Sequence, residues 1–254
     1  MSKSLLLSTY RPKKRAYPDP KNVITLRKVF GGHPRVLISF LNALLPIPPE
    51  TPLTQIEYGN IELLPNPPIL NNTIMDIRCR DWAGRQFLVE MQLIWTEHFQ
   101  RRVLFNACKA YSQQIKKGDN YILRAPVYSL NIINDNFSNQ KPVWYHHYRM
   151  ANQWLPSVFM QGVEFVFIEL PYFMPGKLGE KKRNSLWLCF LREIENKTNM
   201  VPQELLEVPE IAETVEALKG NRYRLEGLEQ FEKGWDIVPT QKTMLFDATN
   251  KAKL

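Results

Sequence analysis

Residues 74–93, IMDIRCRDWAGRQFLVEMQL, hold two runs of alternating side chains on either side of a short turn. Because successive residues of a strand point to opposite faces, we expect strands over Ile74–Arg80 and Gln86–Leu93. Their apolar faces carry Met75, Ile77, Cys79, Phe87, Val89, Met91 and Leu93. Their other faces carry Asp76, Arg78, Arg80, Gln86, Leu88, Glu90 and Gln92. The intervening Trp82-Ala83-Gly84 suits a three-residue hairpin loop that ends in a left-handed glycine, so the stretch predicts a β-hairpin.

This hairpin sets two carboxylates against each other. With Ala83 at the centre of the turn, Asp81 faces Arg85 and the ladder then brings Asp76 opposite Glu90. Directly opposed side chains have Cβ atoms roughly 4.5–5.5 Å apart. Like charges at that distance repel, so a bound cation, a nearby basic residue or a shared proton must offset them. Gln92 follows Glu90 by two residues and therefore points to the same face.

Two interpretations of the acidic pair stay open on the pattern alone. Arg78 shares a face with Asp76, so an ordinary salt bridge on a solvated strand face accounts for the charges. The functional interpretation is a divalent metal site. Mg²⁺ binds oxygen ligands, often only one or two protein carboxylates, and keeps waters and phosphate oxygens in its shell. Asp76 and Glu90 would be the ligands, and Gln92 would hydrogen-bond a water or a phosphate.

The rest of the chain alternates helical and strand patterns. Residues 25–45 predict two helical pieces with a break at Gly31, Gly32 and Pro34. Further strands are expected at Ile56–Leu64, Val127–Ile133 and Glu164–Leu170, and helices at Phe99–Lys117, Leu186–Ile194, Gln203–Leu218 and Leu225–Phe231. The aromatic run that holds His146 and His147 indicates packing in an ordered loop or a strand. This order predicts an α/β (α+β) fold with a mixed sheet.

The predicted helix at Phe99–Lys117 has two stripes. An apolar stripe of Leu104, Ala107, Cys108, Tyr111 and Ile115 is expected to face the core. A polar stripe carries Arg102, Asn106, Lys109, Gln113 and Lys116. That polar stripe is either a solvated helix face or a ridge that contacts DNA phosphates.

Composition narrows the class of protein. The chain has 254 residues and a net charge of +8, which favours polyanionic partners. No apolar run approaches the roughly 20 residues of a membrane helix, and we expect neither a secretory signal nor a membrane partner. The three cysteines show no metal-binding spacing, which indicates a cytoplasmic protein, and Cys79 and Cys108 are expected in the core. Neither a phosphate-binding loop nor a serine-hydrolase, zinc-protease or dinucleotide-binding motif is present.

In combination, several segments resemble the recombination-promoting (Rpn-type) nucleases of the PD-(D/E)XK superfamily. The resemblance runs from about Asn22 to Leu170. It rests on Arg27-Lys28-Val29-Phe30-Gly31, Leu37 to Pro46, Met75-Asp76-Ile77, Gly84-Arg85, Val89-Glu90-Met91-Gln92, Arg101-Arg102, Tyr111 to Gly118 with Tyr121, and Pro126-Val127. The C-terminal part, including Tyr223 and residues 231–236, is similar only loosely.

The resemblance implies a restriction-endonuclease-like core with a central mixed sheet flanked by helices. The core would cover 21–175, after a basic irregular lead-in at 1–20 and before a C-terminal helical region at 176–254. The implied activity is DNA cleavage that depends on Mg²⁺, with Mn²⁺ as a substitute. Asp76 and Glu90 would hold the metal, and Gln92 stands where the superfamily usually has its catalytic lysine. Arg102, Lys109, Gln113 and Lys116 would contact DNA, and Lys109 is a candidate for the missing positive charge.

One departure from the group's pattern keeps a second function open. Val23 stands where the opening helix region often carries an acid, and valine cannot bind a metal, so Glu57 or Glu62 on the first predicted strand would have to contribute the acid instead. The alternative is a catalytically degenerate DNA-binding or transposon-associated protein that keeps the nuclease fold. A globular interaction protein without a nucleic-acid role is the third reading. Homodimer formation and the role of the C-terminal helices are left open by the sequence.

Overall fold

The computed structural model describes residues 17–59, 77–114, 125–137, 143–175, 183–195, 198 and 200–219. Most of the predicted lead-in, the first three residues of the predicted strand Ile74–Arg80 and the predicted helix at Leu225–Phe231 lie outside these ranges. Among the described residues, no helix is long and apolar enough to span a membrane.

The first two helices form as the sequence predicts. Helix α1 covers Val23–Gly31 and α2 covers Pro34–Leu44. Proline is well placed at the first position of α2, since its missing N–H would have had no partner in the helix. The prolines after α2 then force an extended chain towards the first strand.

A six-stranded mixed sheet forms the centre of the protein. Its strands are β1 Glu57–Tyr58, β2 Ile77–Arg80, β3 Gln86–Gln92, β4 Val127–Ile133, β5 Tyr145–Ala151 and β6 Phe159–Glu169. Their order is β1-β2-β3-β4-β6-β5. Strands β3, β4 and β6 are parallel neighbours, and the remaining pairs are antiparallel. The predicted mixed sheet is therefore confirmed.

Helices cover the two faces of the sheet. The apolar side chains of β2 and β3 join α1, α2 and helix α4 (Arg183–Glu193) in the main core, where Trp187 is fully buried. Helix α3 (Glu97–Ser112) connects β3 to β4 and covers the other face through Ala107 and Ala110, which pack on Leu88. Small side chains allow this close approach of helix and sheet.

The buried stripe of α3 differs from the predicted one. The helix buries Phe99, Val103, Asn106, Ala107 and Ala110. Leu104 is 54% exposed and Cys108 is also exposed, so the expected core positions of these two residues are wrong. Ala107 is buried as expected, Tyr111 packs against the same cluster, and Ile115 lies outside the described residues. The helix is rotated so that its five buried residues face the protein, and Leu104 and Cys108 remain outside.

The C-terminal helices add to the same core. The predicted helix Gln203–Leu218 is interrupted, with α5 at Gln203–Leu206 and α6 at 209–219. Pro209 starts the second piece, because its ring fits the first turn of a helix and not the interior. Leu205, Ile211 and Val215 are buried in the main core cluster.

Candidate active site

The β2–β3 hairpin has the predicted loop and register. The N–H of Gly84 donates to the carbonyl of Asp81, and the N–H of Asp81 donates to the carbonyl of Arg85, both at 3.0 Å. Gly84 has a φ of +82°, the left-handed conformation that the turn requires. The buried carboxylate of Asp81 accepts hydrogen bonds from the N–H and the Nε of Arg85, at 2.9 and 2.7 Å, which fixes the turn.

The predicted cross-strand pairs are confirmed as far as the structure describes them. Arg80 pairs with Gln86, Arg78 with Leu88, and Ile77 with Val89. Asp76 lies outside the described residues, so its predicted position opposite Glu90 is untested.

Glu90 is a buried carboxylate in the middle of the sheet. It lies on β3, between β2 and β4, and is only 3% exposed. Its Oε1 accepts a hydrogen bond from Nδ2 of Asn106 at 2.9 Å, and its Oε2 accepts one from Nη2 of Arg102 at 3.2 Å. A buried carboxylate needs such partners, since removing an ion from water without compensation is costly. Helix α3 therefore supplies both the charge and the amide that hold Glu90.

Gln92 shares the same guanidinium. Its Oε1 accepts a hydrogen bond from Nη2 of Arg102 at 3.2 Å, and its Nε2 donates to the carbonyl of Ile94 at 3.0 Å. One nitrogen of Arg102 thus bridges Glu90 and Gln92. The guanidinium also lies 5.2 Å from the centre of the Phe99 ring, and its side chain is 40% exposed. Arg102 consequently connects the buried carboxylate with solvent.

Two buried polar atoms beside Glu90 have no protein hydrogen-bond partner: Oδ1 of Asn106 and Nε of Arg102. Buried polar atoms are nearly always paired, so an unpaired one at a carboxylate calls for an explanation. A free amide oxygen, a carboxylate and the amide oxygen of Gln92 are the hard oxygen donors that Mg²⁺ or Mn²⁺ takes. The chemistry of these donors fits such a cation, and the Arg102 guanidinium is hydrogen-bonded to two of them. Within the described ranges, however, no three acidic, histidine or cysteine side chains gather at one point.

The polar stripe of α3 has mixed surroundings. Asn106 is 1% exposed, so the interpretation as a solvated face fails at this residue. Lys109 holds its ammonium 5.8 Å from the centre of the Phe105 ring. Gln113 accepts a hydrogen bond at 3.2 Å from Arg78. Lys116 lies outside the described residues.

Arg78 connects β2 to the end of α3. Its Nη2 donates to Oε1 of Gln86 at 2.8 Å, while its Nη1 reaches Gln113. Gln86 in turn donates to the carbonyl of Ala110 at 3.2 Å. Burial lowers the pKa of the Arg78 guanidinium from its usual value. Arg78 pairs with Leu88, which shares a sheet face with Glu90, so its guanidinium belongs to the same face as Glu90. Along the sequence Arg78 follows Asp76 by two residues, towards the turn.

The structure adds two roles that the sequence analysis did not assign. Asn106 was only a member of a stripe, and Arg102 was only a candidate DNA contact. Their spacing of four residues places both on one helix face, which was a usable signal. What the pattern could not give was the packing of that face on β3, which brings it against Glu90.

The whole chain was compared with known proteins. The sequence profile of a family described as "PD-(D/E)XK nuclease family transposase" matches residues 20–236. No curated protein and no solved structure matches the chain. The matched range includes α1, the hairpin, α3 and the described C-terminal helices.

Proposed function

This chain belongs to the PD-(D/E)XK nuclease family transposases, and from that premise we propose that it is a Mg²⁺-dependent DNA endonuclease. The reaction would be hydrolysis of DNA phosphodiester bonds, and the site would consist of Asp76, Glu90 and Gln92. The observation that carries the proposal is the buried Glu90 carboxylate, held by Asn106 and Arg102 beside an unpaired amide oxygen.

The second carboxylate of the proposed site follows from the register of β2 and β3. Ile77 pairs with Val89 in an antiparallel ladder. If the ladder continued by one pair, Asp76 would lie opposite Glu90, with Cβ atoms roughly 4.5–5.5 Å apart. Asp76 and Glu90 would then be the metal ligands. The side-chain amide oxygen of Asn106, whose amide nitrogen donates to Glu90, would be an additional oxygen donor.

A bound Mg²⁺, or Mn²⁺ in its place, would lower the pKa of a bound water and stabilise the negative charge that develops on the phosphate. Gln92 would orient the attacking water through its side-chain amide. Asn106 would hold Glu90 in a fixed orientation by its hydrogen bond to Oε1.

Arg102 would supply the positive charge that the superfamily usually takes from lysine. Its guanidinium touches both Glu90 and Gln92, and its exposed part can donate to an incoming phosphate oxygen. A preorganised donor of this kind stabilises negative charge as it develops on the reacting phosphate. Arg102 is therefore a catalytic residue in this proposal as well as a DNA contact.

DNA would lie along the exposed polar side of α3. Arg102, Lys109, Gln113 and Lys116 are the proposed contacts, and the net charge of +8 supplies affinity that does not depend on sequence. We place the reaction in the cytoplasm. Binding should weaken steeply as salt is raised, because phosphate contacts release counterions.

A second candidate function is a DNA-binding protein that has lost catalysis. The observation in its favour is that Arg102 already neutralises Glu90 without a metal. Val23, where an acid is often found, points the same way. Such a protein would bind DNA and leave it uncut.

Cleavage of supercoiled plasmid tests the proposal. The wild type should nick the plasmid with Mg²⁺ or Mn²⁺ and stop when a chelator is added. Asp76→Asn should lower the rate about 100-fold, the order found when a transition-state-stabilising group is removed. Glu57→Gln is the matched control, because the Glu57 side chain is 70% exposed and forms an ion pair with the exposed Arg80. Cleavage in chelator, or full activity of Asp76→Asn, would contradict the proposal; DNA binding without cleavage would favour the second candidate.

A further inference from the structure

The β5–β6 pair extends beyond the sheet as an arm, defined here as residues 148–161. Every residue of the arm is exposed. Strand β6 begins to pair with β4 only at Val163, so within the sheet the residues before it are paired with β5 alone. The arm is therefore a hairpin with solvent on both sides.

The arm carries large apolar side chains that nothing in the described chain covers. Trp154 is 83% exposed, Met160 70%, Leu155 59% and Val158 53%. Tyr148, Met150 and Phe159 are exposed as well. Scattered exposed apolar residues are ordinary, but a concentration of them on one element marks a contact surface.

The tip of the arm has a defined shape. Oδ1 of Asn152 accepts hydrogen bonds from the N–H groups of Trp154 and Leu155, at 2.9 and 3.0 Å. The N–H of Val158 donates to the carbonyl of Leu155 at 2.8 Å. These bonds fix the turn and hold Trp154 outward, which lowers the entropy lost when it binds a partner.

The base of the arm is fixed to the core. Gly162 is buried, has a φ of +156°, and a Cβ there would lie 3.6 Å from the ring of Tyr111 on α3. Further out, the guanidinium of Arg149 lies 3.6 Å from the centre of the Phe159 ring. Next to Gly162, Val163 packs with the alanines and Tyr111 of α3, so the arm starts from the helix that holds Glu90.

Charge favours a polyanion as the partner of the arm. The sequence has no acidic residue between Asp135 and Glu164, and the arm itself carries one cation, Arg149, whereas the two histidines that precede the arm pair with glutamates of β6. Strand pairing with a second copy is disfavoured, because the register of β5 shifts between Tyr148 and Met150 and such irregularities protect an edge strand.

We infer that the arm is a DNA-gripping element in which Trp154 and Leu155 enter the minor groove and wedge between base steps. Apolar wedges at the ends of hairpins and helices unstack a base step and bend the duplex. An aromatic ring can also stack on any base, so the contact needs no particular sequence. The inference rests on the proposed nuclease function, since it names how the same substrate is held.

The spacing of the arm and the site suits one duplex. Glu90 pairs with Asn131, which pairs with Phe167. Phe167 is therefore the residue of β6 that lies in line with Glu90 across the sheet. Phe159, next to the tip, lies eight residues earlier, or roughly 26 Å along the strand. That length corresponds to about eight base pairs at 3.4 Å each. The wedge would thus act several base pairs from the cut.

DNA affinity tests the inference in the full chain, with chelator present so that nothing is cut. Trp154→Ala should weaken binding of a fluorescent 30-base-pair duplex about tenfold, given that stacking on a base is worth about 1–3 kcal/mol. A 2-aminopurine in the duplex should brighten with the wild type, as the base unstacks, and stay dim with Trp154→Ala. Trp82→Ala is the matched control, because Trp82 is 79% exposed on the other hairpin loop and should leave both signals unchanged.

Three results would overturn the inference. The first is equal DNA affinity of Trp154→Ala and wild type while the wild type still cuts, which leaves the nuclease function intact. The second is sedimentation of the wild type as a dimer and of Trp154→Ala as a monomer, which would make the arm a contact between copies. The third is a wild type that neither binds nor cuts DNA, which would remove the proposed function together with the arm's role.

Discussion

The site around Glu90 and the arm at 148–161 reverse the usual distribution of side chains in opposite ways. At the site a charged carboxylate is 3% exposed, and in the arm a tryptophan is 83% exposed. Globular proteins rarely bury an acid or present a cluster of large apolar groups to water without a reason. Each region is therefore a candidate for function on physical grounds.

The buried Glu90 and the exposed Trp154 differ in whether the protein itself supplies their partners. Glu90 finds its partners inside the chain, in Asn106 and Arg102, so the site is preorganised before substrate arrives. Trp154 has no apolar cover within the described residues, and its turn is fixed instead by the side chain of Asn152, which accepts hydrogen bonds from two backbone N–H groups. The difference suggests that the site acts by chemistry on a bound group, and the arm by contact with a surface.

The largest effect is expected from removing the charge at the site. Arg102→Met keeps the length of the side chain but leaves Glu90 and Gln92 without their shared donor. The cleavage rate should fall about 100-fold, as for the loss of one preorganised donor. Arg102→Lys restores the charge without the planar fork and should be intermediate. Rates are measured on supercoiled plasmid with Mg²⁺.

Arg101→Met is the control for this comparison. Arg101 is the preceding residue of α3, its side chain is 72% exposed, and it lies 3.6 Å from Glu97. An exposed pair of this kind contributes little. Equal losses in Arg101→Met and Arg102→Met would show that general positive charge, and not the contact with Glu90, sets the rate.

A smaller effect is expected in stability from Asn106→Ala. The substitution leaves Oε1 of the buried Glu90 without its donor, which should cost about 1–3 kcal/mol in the free energy of unfolding. Urea denaturation gives the value. Ser112→Ala, at the exposed end of the same helix, should change stability by less than about 0.5 kcal/mol. Wild-type stability of Asn106→Ala would mean that Glu90 does not depend on this bond.

The hairpin that presents Glu90 was predictable from the sequence. Alternation with a period of two fixes the strand faces, and the glycine of the turn fixes the register. The confirmed pairs Arg80–Gln86 and Arg78–Leu88 follow from those two signals alone. The mixed sheet also followed from the order of the strand and helix patterns.

The partners of Glu90 were harder to predict, because they depend on how α3 lies on the sheet. Leu104 and Cys108 have the more apolar side chains, yet they face solvent. Ala107 and Asn106 face β3 instead, since small residues allow close packing and the amide satisfies the carboxylate. A hydrophobic pattern cannot reveal a polar residue such as Asn106, which is buried because it donates a hydrogen bond to Glu90.

The arm was missed for a related reason. Strand β6 begins at Phe159, five residues before the predicted start at Glu164, because its first residues pair only with β5. Both faces of the arm are exposed and yet apolar. Strand starts are predicted from apolar side chains that alternate towards a core, and the arm has no such buried face. The start of β6 could therefore not be predicted.

The smallest effect concerns the thiols and checks the orientation of α3. Burial, together with the nearby Asp81 carboxylate, raises the pKa of Cys79 to about 12. Its thiol is therefore neutral at pH 8 and still neutral at pH 9.5, and the neutral form reacts slowly. Iodoacetamide should modify the exposed Cys108 first and leave Cys79 and Cys189 unmodified until the protein unfolds. Labelling of Cys79 in the folded protein, measured by mass spectrometry, would contradict this placement.

In the proposed function Glu90 takes part in cutting DNA and does not merely stabilise the fold. The decisive measurement is the single-turnover cleavage rate of Glu90→Gln with Mg²⁺, together with its DNA affinity in chelator and its thermal unfolding. We predict a folded variant that binds the duplex at least as tightly as the wild type and cleaves it about 100-fold more slowly or not at all. Wild-type cleavage by folded Glu90→Gln would contradict a role of Glu90 in catalysis.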